Sequence, residues 1–211
     1  MLLYYITDRK GFPGRAAEQR SALLRRMAEA ASAGVDWIQL REKDLSPREL
    51  ERLAGEALRA VRDHSATTKL LINGRTDVAL ACGADGVHLP DGEVAASEVR
   101  ALWMQCRTSQ PTIGVSAHTA GDVRDAKAQR ADFVVFAPIF EKVQTGRPGI
   151  GLEALRAACA EAGDRFTVLA LGGVTLSNAH SCIEAGAAGV AGIRLFQQGD
   201  VSETVRRLRA L

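Results

Sequence analysis

The sequence lacks several features, and each absence removes a class of function. Its four cysteines, Cys82, Cys106, Cys159 and Cys182, lie far apart, and no pair has the CxxC spacing of a zinc or dithiol site. Scattered thiols of this kind fit a reducing, cytoplasmic setting. No apolar run approaches the roughly 20 residues that cross a bilayer, so no membrane association is expected. The opening MLLYYITDRK has no basic leader before its apolar run and no cleavage site, and is expected to be a first strand. Charge of one sign is missing as well. Lys and Arg number 27 against 25 Asp and Glu, a net charge of +2, with no basic stripe and no interleaved aromatics, so nucleic acid is not an expected partner. The first strand runs into Thr7-Asp8-Arg9 rather than a GxGxxG turn, which argues against an open doubly wound sheet. Linkers and low-complexity stretches are absent too, so residues 1–211 are expected to form a single domain.

What is present is a regular alternation. Short apolar runs at 2–7, 36–40, 69–73, 84–89, 112–117, 132–139, 166–171 and 189–195 read as buried strands. Between and after them, stretches at 17–33, 47–63, 75–83, 94–104, 119–130, 152–162, 177–185 and 200–210 have helical spacing or composition. Gly34 closes the first helix, and Ser46-Pro47 reads as an N-cap followed by proline at the first helical position. Consecutive strands separated by helices must run parallel. Eight such units predict an α/β fold, a single (β/α)8 TIM barrel with a parallel eight-stranded core.

Barrels of this kind place their active sites at the C-terminal ends of the strands, so the residues just after each strand are the candidates. After strand two, alternation puts Gln39, Arg41 and Lys43 on one side, a set suited to a phosphorylated or carboxylated ligand or to a rim paired with Glu42 or Asp44. Asn73-Gly74 after strand three reads as a turn or as a ligand-binding amide. His118, in Ser116-Ala117-His118-Thr119, is the candidate acid–base residue; His64 and His180 fall on helices, and His88 reads as an interior histidine. Gly172-Gly173 after strand seven and Gly192-Ile193-Arg194 after strand eight have the pattern of a phosphate site built on backbone N–H groups. A plain turn capped by Ser177 is the structural alternative for the first pair. The loop at 141–151 is long enough to act as a lid, and its Gly and Pro content also fits a simple turn-rich segment. HLPDGE (88–93) puts two carboxylates, Asp91 and Glu93, after strand four, either as metal ligands or as turn and helix N-terminal residues.

Taken in order, YYITD, WIQLREKD, LLING, ADGVHL, IGVSAHT, ADFVVFAPIF, GIGLEAL and LALGGVT resemble the thiamine-phosphate synthase and TenI family over nearly the whole chain. The resemblance implies a barrel that binds a thiazole phosphate in thiamine biosynthesis. It covers two chemistries. The synthase joins hydroxymethylpyrimidine diphosphate to thiazole phosphate, releases pyrophosphate, and needs magnesium held partly by two aspartates. TenI-type proteins shift a proton to aromatise a thiazole phosphate carboxylate, with no metal. Here Gly74 stands where the synthase has its first aspartate, Glu93 aligns with the second, and EKVQTG replaces a TPTK-like motif, leaving Lys142 as its only lysine.

The expectation is therefore a TenI-type thiazole tautomerase without a cofactor, with His118 moving the proton. Gln39, Arg41, Lys43, Asn73, Ser116 and Lys142 would bind substrate, and Gly172, Gly173, Gly192, Ile193 and Arg194 would hold its phosphate. A divergent synthase using magnesium at Asp91 or Glu93 is the alternative, and a catalytically silent thiazole or thiamine phosphate binder is the third. Oligomeric state is open, a homodimer included.

Overall fold

Tyr4 and Tyr5 divide the packing of the whole molecule, because neighbouring residues of a strand point to opposite faces. In the computed structural model, which describes residues 1–141, 146 and 148–211, Tyr4 points into the barrel and Tyr5 points out toward the helices. The strands are β1 (Leu2–Ile6), β2 (Trp37–Leu40), β3 (Lys69–Asn73), β4 (Gly86–Leu89), β5 (Thr112–Ala117), β6 (Phe133–Phe136), β7 (Thr167–Ala170) and β8 (Gly189–Gly192). They pair in parallel in chain order, and β8 returns to β1 with Tyr5 opposite Gly192, which closes the barrel.

The helices are α1 (Ala16–Ser32), α2 (Pro47–Arg62), α3 (Thr76–Cys82), α4 (Ala96–Cys106), α5 (Ala120–Ala128), α6 (Gly151–Ala162), α7 (Ala179–Glu184), α8 (Arg194–Gln197) and α9 (Val201–Arg209). Their apolar faces meet Leu3, Ile38, Leu40, Leu70, Ile72 and Val87 from the outer faces of the strands, and Trp103 of α4 is buried in this layer. Helix α2 starts as expected: Ser46 and Glu49 form a reciprocal capping box ahead of Pro47. Ser46→Ala should lower stability by about 1 kcal/mol in urea unfolding and leave turnover unchanged, since it removes one cap far from the strand ends.

Most element ends fall within one or two residues of the sequence expectation, and two strand ends differ by three. The last strand was expected to run through Leu195, yet β8 stops at Gly192 and residues 194–197 turn into α8. The sixth strand ends at Phe136 rather than at residue 139, just before Ala137-Pro138, where the ladder loses a donor. Among the described residues no helix is long and apolar enough to cross a membrane.

The barrel interior is filled from below. Phe133 stacks on Trp37 with ring centroids 4.2 Å apart and meets Tyr4 edge-on at 5.4 Å. Gly114 on β5 leaves room for it, since a Cβ there would lie 2.2 Å from the Phe133 ring. Ile6, Leu71, Val135, Leu169 and Ala191 complete this inner core. With the floor packed, a ligand can enter only from the C-terminal ends of the strands.

Candidate active site

The rim after β1 and β2 is organised by Arg9. Its guanidinium bonds Glu42 at 3.0 Å and Asp44 at 2.6 and 2.7 Å, and Lys10 adds a second ion pair to Asp44. Arg9 and Lys10 hold the Asp44 carboxyl well below the usual carboxylate range. Burial pushes the Glu42 carboxyl up, against donation from Thr7 and Arg9. Both acids beside Arg41 and Lys43 are thus occupied, and among the described residues neither cation has a carboxylate partner. The rim pairing considered for Arg41 and Lys43 is taken by Arg9 and Lys10 instead.

The three candidates of strand two separate in depth. Gln39 is buried and donates to the Tyr4 hydroxyl at 2.9 Å, below the mouth. Arg41 is half-buried, with its backbone N–H on Thr7 Oγ1 at 2.9 Å. Lys43 is exposed in a turn. Alternation does not extend to Lys43, because β2 ends at Leu40 and period-two geometry ends with it.

Asn73 closes β3 half-buried, and Gly74 follows with φ +64°. A Cβ on Gly74 would stand 3.1 and 3.3 Å from the two carboxylate oxygens of Glu93. Glu93 therefore reaches back from the loop after β4 to the backbone of residue 74 in the neighbouring turn after β3. This corrects its reading as a helix N-terminal residue. Gly92 is left-handed and Ala95 extended, so α4 begins only at Ala96, and Asp91 stays exposed in the turn. Among the described residues no three metal-ligating side chains cluster. Glu93 with Asn73 behind it offers one hard-oxygen carboxylate, a donor type suited to magnesium, which commonly uses one or two carboxylates beside water and phosphate.

His88 was read as an interior histidine, and it is only half satisfied. It is 4% exposed, its Nε2 lies 3.0 Å from Ser116 Oγ, and its Nδ1 is buried without a partner among the described residues. Burial first, and the charge of Arg41 second, push its pKa down to about 3. His118 is exposed at the end of β5, with Nδ1 2.6 Å from the Ala137 carbonyl. A carbonyl only accepts, so Nδ1 carries the hydrogen, and the neutral ring keeps its lone pair on Nε2. Thr119 caps α5, in a capping box with Asp122. His64 lies just past the end of α2, and His180 pairs with Glu184 on α7.

The turns after β7 and β8 lie side by side, since Ala170 is in register with Val190 and each turn begins two residues on. Gly172 and Gly173 have φ +99° and +66°, and Cβ atoms there would come within 2.6 Å of Pro138 and 2.7 Å of Phe140. Only glycine fits both demands. Asn178 holds this turn rather than Ser177: it accepts from Thr175 N at 2.7 Å and donates to Gly173 O at 3.0 Å. Among the described residues, no backbone acceptor is found for the amides of Gly172, Gly173, Ile193 or Arg194. Gly192 packs under Leu195, where a Cβ would be 2.9 Å from the Leu195 Cβ. Arg194 is exposed and makes no ion pair with a described residue. Lys142 lies outside the described residues, as do residues 143–145 and 147 of the predicted lid at 141–151.

The family model described as thiamine monophosphate synthase matches residues 3–196. A putative thiamine-phosphate synthase of Geobacter sulfurreducens is 41% identical over 99% of this chain and 93% of its own. The putative thiamine-phosphate synthase 2 of Aquifex aeolicus is 37% identical over 92% of this chain and 96% of its own. The solved thiamine phosphate pyrophosphorylase of Pyrococcus furiosus superposes with a TM-score of 0.80 at 27% identity, covering 99% of this chain and 94% of that one. With the closed barrel and the residues gathered at its mouth, these likenesses make the chain a member of the thiamine monophosphate synthase family, an enzyme family of thiamine biosynthesis.

Proposed function

We propose that the chain is a thiamine-phosphate synthase, joining hydroxymethylpyrimidine diphosphate to thiazole phosphate with release of pyrophosphate. The observation that carries this reading is the Glu93 carboxylate standing against Gly74. It returns negative charge to the place where the family's first aspartate is missing. The names of the Geobacter and Aquifex relatives support the same reading ahead of the tautomerase expected from the sequence.

In this reading the unpaired cations Arg41 and Lys43 face the diphosphate, with Asn73 and Ser116 offering polar contacts around the pyrimidine. Gln39 lies deeper, donating to the Tyr4 hydroxyl. The thiazole phosphate sits against the amides of Gly172, Gly173 and Ile193, with Arg194 at its edge and Gly192 keeping the turn close. Cations fixed before the reaction stabilise the charge that develops on the departing pyrophosphate oxygen, while the backbone donors hold the thiazole phosphate in place. Magnesium would be held by Glu93, with Asp91 as the nearest reserve carboxylate, and when bound it neutralises the diphosphate.

The test is direct. Purified protein is mixed with both substrates and magnesium, and any thiamine phosphate is oxidised to its fluorescent product. Magnesium-dependent signal supports the synthase; none, beside an active control enzyme, removes it.

A second reading, the thiazole tautomerase, is favoured by one observation. The Ala137 carbonyl orients His118 so that Nε2 presents a basic lone pair at the mouth, the form a proton shuttle needs. If this chemistry is present, His118→Asn should cut isomerisation by about 10²-fold with little change in thiazole phosphate binding. Equal turnover of the two proteins would take His118 out of the reaction.

A further inference from the structure

His88 and Ser116 form a pair that neither the sequence pattern nor the rim chemistry accounts for. Both project inward, His88 from β4 and Ser116 from β5, two residues beyond Gly114, the register partner of His88. The ring is walled by Tyr4 and Phe133, with centroids 5.9 and 6.1 Å away, so it has little freedom to turn. Its single partner is Ser116 Oγ at 3.0 Å, and its other nitrogen is buried with none among the described residues.

Two tautomers are available to a neutral ring. With hydrogen on Nδ1, the orphan atom is a buried N–H, which folded proteins rarely leave without an acceptor. With hydrogen on Nε2, the orphan is a lone pair, and Nε2–H donates to Ser116 Oγ. The second arrangement also determines what serine can do. Its oxygen accepts from below, so its own O–H is left to donate, and among the described residues no acceptor is found for it. Ser116 is half-buried at the C-terminal end of β5, where a ligand would lie.

We propose that His88 is a positioning residue. Its Nε2–H holds the Ser116 oxygen so that the serine hydroxyl donates into the mouth, and the site selects a ligand with a hydrogen-bond acceptor there, a ring nitrogen or an anionic oxygen. The proposal rests on the synthase reading only for which substrate supplies that acceptor.

The first measurement needs no substrate. Long-range 15N–1H spectra of the imidazole groups, with the His88 signals assigned by their loss in His88→Gln, report which nitrogen carries hydrogen. Nε2–H is expected, and Nδ1–H overturns the proposal. Nε2–H in a protein without synthase turnover keeps the His88–Ser116 arrangement and removes the synthase reading instead. The second measurement separates positioning from bulk. Glutamine places an amide nitrogen near the Nε2 position, asparagine near Nδ1. His88→Asn and Ser116→Ala should each lower kcat/KM by about 10–100-fold, mainly through KM, and the double variant should be no worse than either alone. His88→Gln should stay within about fivefold of the parent, the residual loss being that of one imperfectly placed hydrogen bond. Equal impairment of the folded Gln and Asn variants, or additive losses in the double variant, overturns the proposal.

Discussion

Glu93→Gln is expected to cut magnesium-dependent synthase turnover by about 10³-fold, roughly 4 kcal/mol of transition-state stabilisation. The substitution keeps the size and shape of the side chain and removes its charge. Glu93 is exposed and makes no ion pair with a described residue, so the fold should be unaffected and the melting temperature unchanged. The loss is large because residue 74 has no side chain and Asp91 is exposed in the turn, so among the described residues Glu93 is the carboxylate held against the Gly74 backbone. In the synthase reading Asp91 is then the only nearby reserve among the described residues, and it would have to leave the solvent to serve. Moving the carboxylate to the neighbouring turn makes the test sharper. In Gly74→Asp the new Cβ would crowd the Glu93 oxygens at 3.1 and 3.3 Å and set two like charges together. In Gly74→Asp combined with Glu93→Gln that repulsion is gone, and aspartate tolerates the left-handed φ of +64° better than most residues. The double variant should therefore recover part of what Glu93→Gln loses. Full turnover in Glu93→Gln, with magnesium still required, would assign the metal to other groups.

The barrel was legible in the sequence because its signal is periodic. Strand-like runs separated by helical stretches admit few topologies, and parallel pairing follows from the connections. The boundaries that failed are those where an apolar run has no period of its own. Ile193 and Leu195 look like a continuing strand, yet three or four apolar residues fit a helical turn equally well, and α8 takes them. Of the candidate site, the residues one step past a strand could be named from the sequence, since the fold itself directs attention there. The approach of Glu93 to Gly74 was not, because it joins positions 19 apart through two loops whose left-handed glycines have no sequence period. Lys43 shows the converse, a pattern extended beyond the strand that justified it. His88 was read on the correct face, but alternation gives direction and not depth. Whether an inward histidine meets water, a ligand or an aromatic wall depends on Tyr4 and Phe133, which arrive from β1 and β6.

That depth gives His88 a second measurable consequence, in acid. Its pKa in the fold is pushed down to about 3 by burial and by Arg41, whereas an unfolded chain protonates histidine near 6.5. Below pH 6.5 the unfolded chain therefore binds a proton that the native barrel refuses. The contribution of His88 to stability is complete above about pH 6.5 and falls by about 1.4 kcal/mol per pH unit as the pH drops. It levels off near pH 3, after a total loss of about 5 kcal/mol. That is a large share of the roughly 5–15 kcal/mol of a typical domain. Other groups add to acid unfolding: Asp44, held low by Arg9, loses its contribution in the same direction below about pH 4. They are common to the parent and to His88→Gln, so the difference between the two proteins isolates the histidine. Urea unfolding at intervals from pH 7.5 to 4 should show the parent losing stability faster than the glutamine variant, with the gap opening below pH 6.5. Parallel curves over that range would mean that the ring takes up its proton in the folded state, and that the wall of Tyr4 and Phe133 does not exclude water from it.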